Sequence, residues 1–131
     1  DLGNLKANVW EGKFPTNNKI KDEYYYTAPV KSFKPNKYGL YDIAGNVWEW
    51  CFDWYHYNYY KMVENQVSDN PQGPTNSFDP MEPYSPKKVI RGGSFLCNDS
   101  YCSGFRNSMR MKSTADSSSL HTGFRTVMDT D

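Results

Sequence analysis

The chain has 131 residues, which suits one domain or a part of one, and its 15 basic residues balance 15 acidic ones. A formal charge of zero leaves no electrostatic footprint for nucleic acid or an acidic membrane surface. No apolar run approaches the roughly 20 residues of a membrane span, and no stretch reads as a signal peptide.

Only 37% of residues are hydrophobic, yet 17% are aromatic, with eleven Tyr, seven Phe and four Trp. Such a composition predicts a loop-rich fold whose core is built from large rings, with Tyr hydroxyls and Trp N–H groups helping to satisfy the backbone. In chain order, Asn8-Val9-Trp10 reads as a short extended piece that Gly12 and Phe14-Pro15 interrupt. The stretch from Asn17 to Lys21 reads as a turn. Glu23-Tyr24-Tyr25-Tyr26-Thr27 carries β-type residues until Ala28-Pro29 stops it.

Leu40, Ile43, Val47, Trp50 and Trp54 fall at spacings of three, four, three and four, which is one helical face. Gly45-Asn46 interrupts that face. The expectation is a short helical turn, a loop, and a strand from Glu49 to Tyr55, where Trp48, Trp50, Phe52 and Trp54 alternate. Asn58 to Lys87 is rich in Asn, Ser and Pro and reads as a long surface excursion. Val89 to Phe95 predicts a strand running into a cysteine loop, Ser100 to Met111 a short helix or a turn and strand, and Thr122 to Val127 a final strand.

The chemistry concentrates in Arg91-Gly92-Gly93-Ser94-Phe95-Leu96-Cys97-Asn98-Asp99-Ser100-Tyr101-Cys102. Two thiols five residues apart can reach one another or one metal ion. The glycines permit a tight turn, and Arg91, Arg106 and Arg110 are candidate cations to favour a thiolate. On residue type alone the pair reads as a small disulfide or two buried thiols more readily than as a soft-metal site. Cys51 lies among aromatics and reads as core. His56 and His121 read as ordinary polar residues. Asn98-Asp99-Ser100 is a glycosylation sequon, read as unused because a glycan there would block the cysteine loop.

Six motifs, in order along the chain, resemble the formylglycine-generating enzyme family, the sulfatase-modifying factors. They are Asn8-Val9-Trp10-x-Gly12-x-Phe14-Pro15, Thr27-Ala28-Pro29-Val30, Tyr38 to Trp50 with its Gly-Asn-x-Trp-Glu-Trp core, Arg91 to Cys97, Ser100-Tyr101-Cys102, and Gly123-Phe124-Arg125. The likeness is to the C-terminal half of the family domain, so residues 1–131 are expected to be the C-terminal portion of one such domain. The resemblance implies a mixed α/β, loop-rich fold of the C-type-lectin-like kind with short antiparallel strands. It implies an O2-dependent oxidoreductase that converts a sulfatase cysteine, in a Cys-x-Pro-x-Arg motif, to Cα-formylglycine with one copper.

By position, the resemblance implies Cu(I) held by Cys97 and Cys102, a soft cation on two thiolates, with Ser94 and Trp48 as further catalytic residues. It implies Arg106 and Asn98 as substrate contacts. It also implies two structural calcium ions, one on Asn8, the Val9 carbonyl, Asp22 and the Tyr24 carbonyl. The other would use Asp42, the Gly45 and Val47 carbonyls and Glu49, the mixture of carboxylates and carbonyls that calcium takes. The expected partners are an unfolded sulfatase polypeptide and the N-terminal half of the domain, with no nucleic acid and no membrane. The expected compartment is oxidising: secreted, periplasmic or endoplasmic-reticulum lumen. This sequence departs from the family at Asn98, where His is common, at Gly104, where Arg is common, at His121, where Asn is common, and at Asn107, which replaces a disulfide cysteine. The other reading on the same scaffold is a non-catalytic binding or display module, with the Asn58–Lys87 excursion and the Ser-rich segment as its surface.

Overall fold

The computed structural model describes residues 7–128. In chain order they form a hairpin of β1 (Gly12–Lys13) and β2 (Asn17–Asn18), the long strand β3 (Trp48–Trp54), a one-turn helix α1 (Tyr59–Met62), and strands β4 (Lys87–Arg91), β5 (Met111–Thr114) and β6 (Thr122–Gly123). The hairpin strands pair only with each other, and the other four form a sheet in the order β5-β4-β3-β6. β4 is antiparallel to both its neighbours, whereas β6 runs parallel to β3. That corrects the expectation of antiparallel strands throughout. β5 and β3 already point the same way on either side of β4. The chain then crosses the sheet to its far edge without reversing, so β6 is parallel to β3. With one four-residue helix, the architecture is strand and loop rather than evenly mixed.

The strand expected at Glu49 to Tyr55 is β3, shifted by one residue. The helical turn expected before it does not form. Asp42, Gly45 and Asn46 all take positive φ (52°, 74° and 63°), and three left-handed residues in five positions are incompatible with a helix. Gly45 has no substitute here: a Cβ on it would lie 2.2 Å from the Asn8 carbonyl oxygen. Leu40 and Ile43 are accordingly exposed rather than lined up on a buried face.

Strand β4 ends at Arg91 instead of Phe95, because Gly92 and Gly93 turn the chain with φ of 92° and 72°. The last strand keeps only Thr122–Gly123, and Ser100 to Met111 is a series of turns leading into β5. Asn8 to Trp10 and Glu23 to Thr27 join no sheet. Two buried asparagines hold them instead. The Asn46 N–H donates to the Asn8 carbonyl (2.8 Å), and Asn8 Nδ2 donates to the Tyr26 carbonyl (2.7 Å). The Asn46 amide exchanges two bonds with the Ala28 backbone, at 2.8 and 3.2 Å. Side chains thus do what a β-ladder would otherwise do for this backbone.

The Asn58–Lys87 excursion is largely exposed, as expected, but its return is anchored by buried charge. Asp79 and Lys87 are 2% and 3% exposed. The Lys87 ammonium donates to Asp79 Oδ2 at 2.9 Å, and Lys112 and Glu82 close the cluster from either side. Charges this deep persist only when paired. The apolar centre of the sheet is Trp48, Ile90 and Cys97, against which Trp50, Cys102 and Phe105 pack. Val30, Tyr38, Phe52, Tyr84, Leu120 and Phe124 are, by contrast, largely exposed.

Candidate active site

Beyond β4 the backbone doubles back over Trp48. Gly93 makes this possible, since a Cβ there would stand 2.6 Å from the Phe105 nitrogen. The following loop is held by backbone bonds: Phe95 N–H to the Asn46 carbonyl (3.0 Å), Cys97 N–H to the Ser94 carbonyl (2.9 Å), Trp10 N–H to the Cys97 carbonyl (2.9 Å) and Cys102 N–H to the Asn98 carbonyl (3.0 Å). Cys97 and Cys102 are joined as a disulfide, with Cα atoms 4.7 Å apart. Cys97 is 2% exposed, and Cys102 is half-buried.

The sulfur pair stands in the wall of an open cavity of about 610 Å³ that Trp48, Ile90, Ser94 and Leu96 also line. Four residues singled out from the sequence, Cys97, Cys102, Ser94 and Trp48, therefore meet at one place. Ser94 is buried, and its Oγ accepts from the Leu96 N–H (3.3 Å), so it braces the loop from beneath. Trp48 is 6% exposed, and its ring covers Gly104. A Cβ at 104 would lie 2.3 Å from the indole, which is a physical reason for glycine at this position. Gly104→Ala is expected to displace the Trp48 ring and cost about 1–3 kcal/mol by overpacking. Chemical denaturation, followed by Trp fluorescence, checks both effects.

Asn98 and Arg106 are not in the cavity wall. Asn98 is buried, and its amide is spent inside the chain: Nδ2 donates to the Gly12 carbonyl (3.0 Å), and Oδ1 accepts from the N–H groups of Ser100 and Tyr101 (3.1 and 2.8 Å). This ties the cysteine loop to the hairpin and leaves no room for a glycan. Arg106 is exposed and contacts Asp99 at 3.3 Å, a surface pair of little energetic weight.

Among the cavity residues that sequence reasoning did not single out are Phe14, Tyr101 and His121. Phe14 and Tyr101 stack with ring centres 4.1 Å apart, bringing the hairpin onto the cysteine loop. The Phe-Pro pair and the aromatic between the cysteines carried that signal. His121 stands out in the sequence only as a departure from the family, because the crossing from β5 to β6 is what brings it alongside Trp48. Cys51 is the free cysteine of the described residues. Burial pushes its thiol up, against the opposing pull of Arg91. It takes no part in the cavity.

The residues can be tested against the metals that the resemblance implies. Once reduced, two adjacent sulfurs in an apolar wall fit a soft monovalent cation. Among the described residues no three His, Cys, Asp or Glu cluster around one point, so those residues would offer such an ion the two sulfurs alone. The first calcium set fits. Asp22 is 7% exposed, its Oδ1 accepts from the Tyr24 N–H (3.1 Å), and its Oδ2 is buried without a hydrogen-bond partner. The second set is filled by a side chain. Arg125 binds both carboxylate oxygens of Glu49, at 2.7 Å from Nε, and reaches the Tyr41 and Asp42 carbonyls at 2.9 and 3.2 Å. The Glu49 hydrogen bonds raise the Arg125 pKa against the effect of burial. Asp42 Oδ2 meanwhile accepts from the Lys31 N–H (2.8 Å). With a guanidinium in place, the Asp42–Glu49 loop does not fit a second cation.

Comparisons with known proteins agree with the motifs. The sulfatase-modifying factor enzyme 1-like domain matches residues 1–130. Proteins named formylglycine-generating enzyme are 42% identical in Thermomonospora curvata (97% of this chain, 39% of that protein) and 45% identical in Streptomyces coelicolor (98% and 38%). The chain thus spans about two fifths of the length of these relatives. A Bos taurus protein named inactive C-alpha-formylglycine-generating enzyme 2 is 34% identical over 92% of this chain and 33% of its own. Among solved structures, Treponema denticola variable protein 1 superposes with a TM-score of 0.56 at 28% identity, covering 91% of this chain and 34% of that one. On the whole-length match and these identities, this chain belongs to the sulfatase-modifying factor enzyme 1-like domain family.

Proposed function

We propose that the chain is the sulfur-pair portion of a formylglycine-generating oxidase. The observation that carries the reading is the placement of Cys97 and Cys102 in the wall of a cavity faced by Trp48 and Ser94. The substrate is the cysteine of an unfolded sulfatase segment. Overall, its thiol-bearing methylene becomes an aldehyde and its sulfur leaves as hydrogen sulfide. O2 takes four electrons, two from the substrate and two from a pair of external thiols that couple to a disulfide, and water is the remaining product. Copper, when bound by the two thiolates, supplies the redox centre for O2. The chain's residues do the rest. An external thiol first opens the Cys97–Cys102 disulfide, Ser94 holds the loop that carries both sulfurs, and the Trp48 ring keeps bulk water from the cavity floor. The Asn8, Val9, Asp22 and Tyr24 set holds a structural calcium, for which the unpartnered Asp22 oxygen is the support. The rest of the domain covers the bare apolar surface, and the working compartment is an oxidising one. Among the described residues no helix is long and apolar enough to cross a membrane.

The deciding experiment supplies the reduced protein with Cu(I), air, a thiol and a peptide carrying Cys-x-Pro-x-Arg. The thiol-to-aldehyde mass change is then sought by mass spectrometry, with the full-length protein as the parallel sample. No conversion by either sample, with no Cu(I) bound, would sink the oxidase reading. A second reading, a non-catalytic binding module, is supported by the disulfide between the two cysteines and by the likeness to Treponema denticola variable protein 1. It predicts that the cysteines remain a staple and that removing copper changes nothing.

A further inference from the structure

We propose that His121 is a further catalytic residue of the cavity: its imidazole Nε2 takes the proton of an incoming thiol, whose sulfur then meets the Cys97–Cys102 pair as a thiolate. This deepens the oxidase reading, in which the incoming thiol is the substrate cysteine. Its chemistry can be tested without that reading.

An ordinary thiol has a pKa of about 8.5, so at neutral pH only a few per cent is the reactive thiolate. A cavity that handles thiols gains from a base able to act near neutrality, and imidazole is the side chain suited to that. His121 lines the same cavity as Cys97, Cys102 and Ser94. Its backbone is held in place, since its carbonyl accepts the Trp48 N–H at 2.8 Å. Nδ1 lies 3.2 Å from Ser119 Oγ, and that oxygen is 2.8 Å from Thr122 Oγ1. A proton on Nδ1 donated to Ser119, with Ser119 donating on to Thr122, leaves the Nε2 lone pair as the acceptor. Among the described residues Nε2 has no hydrogen-bond partner.

Two of the other ionisable groups nearby are paired. Lys112, in the cavity wall, pairs with Asp79 on the other side of the sheet. Tyr101 is stacked on Phe14. On the strand beside β6, Glu49 is neutralised by Arg125. His121 does not join the sulfurs in a three-ligand cluster, which separates this role from that of a metal ligand.

The test uses the disulfide form of the full chain and glutathione. The glutathione S–H proton passes to His121 Nε2, and the sulfur attacks the more exposed Cys102 sulfur. The S–S bond breaks to give a mixed disulfide, and Cys97 leaves as a thiolate. The rate of opening is followed by mass spectrometry after acid quenching. His121→Asn and His121→Gln are compared with the wild-type protein at about pH 7 and about pH 9.5, the upper value making most of the glutathione thiolate unaided. The expected result is about a tenfold slowing of both variants near pH 7 that shrinks to within about twofold near pH 9.5. Equal slowing at both pH values would mean that the ring only shapes the cavity, and no slowing would mean that it does not act; either overturns the proposal. Near-ultraviolet circular dichroism confirms that the Gln variant is folded. Intact rate enhancement by His121 together with failed formylglycine formation would count against the oxidase reading alone.

Discussion

On the proposed oxidase reading, Cys102→Ser is expected to abolish tight Cu(I) binding and to lower formylglycine formation by about a thousandfold or more, the scale set when a group that acts as one unit with its partner is removed. A serine hydroxyl is a hard, neutral donor and cannot replace a thiolate on a soft cation. Competition for Cu(I) against a chromophoric chelator measures the first effect, and peptide mass spectrometry the second. The fold survives the change. Cross-linking residues 97 and 102 closes a very short loop, so loss of the disulfide costs about 2 kcal/mol on the chain-entropy model. That cost appears only under oxidising conditions. With both proteins reduced, their denaturation midpoints coincide. A variant that keeps tight copper binding would show that the two sulfurs are not the ligands.

Stability depends on pH through the buried cluster on the other side of the sheet. Hydrogen bonds from Lys112 and then Lys87 hold the Asp79 carboxyl far below its ordinary value of 3.8, against the cost of burial. Burial works against the Lys87 ammonium most strongly, yet bonds from Glu82 and Asp79 and their charges together raise its pKa above 10.5. The two groups set opposite limits. Asp79 stabilises the fold fully above its unfolded pKa, and that contribution is lost as pH falls through the depressed folded value. Lys87 contributes fully below its unfolded pKa, and its part is lost as pH rises through the raised folded value. A plateau between about pH 5 and pH 9 is expected, with both flanks set by this cluster. Asp79→Asn removes the carboxylate that Lys87 and Lys112 share and leaves Lys87 with Glu82 alone. It should lower the plateau, remove the Asp79 part of the acid flank and free the Asn58–Lys87 excursion, which limited proteolysis reads directly. An acid flank with the wild-type shape in Asp79→Asn would place the titrating group elsewhere.

Legibility differed from feature to feature for physical reasons. Strand β3 was visible because alternating large rings suit a pleated strand wherever it lies, and the cysteine loop because Gly-Gly allows the turn that two nearby thiols need. The helical spacing from Leu40 to Trp54 misled, because left-handed Asp42, Gly45 and Asn46 override periodicity. Asn98 looked like a residue free for substrate. Its burial and its bond to Gly12, 86 residues away, come from packing of the hairpin onto the loop.

Residue identity and short spacing were sufficient for the family, the sulfur pair, the aromatic strand and the glycine turns, since each depends on chemistry within a few positions of the chain. The tertiary structure alone decided that β6 runs parallel to β3, that Arg125 occupies the cation position at Glu49, that Asp79 and Lys87 form a buried pair, and that His121 enters the cavity. Apart from the Asp79–Lys87 pair, eight residues apart and fixed by how the excursion returns to the sheet, these are contacts between segments distant in sequence or consequences of how the strands cross. Their energy comes from burial and pairing that no local pattern records.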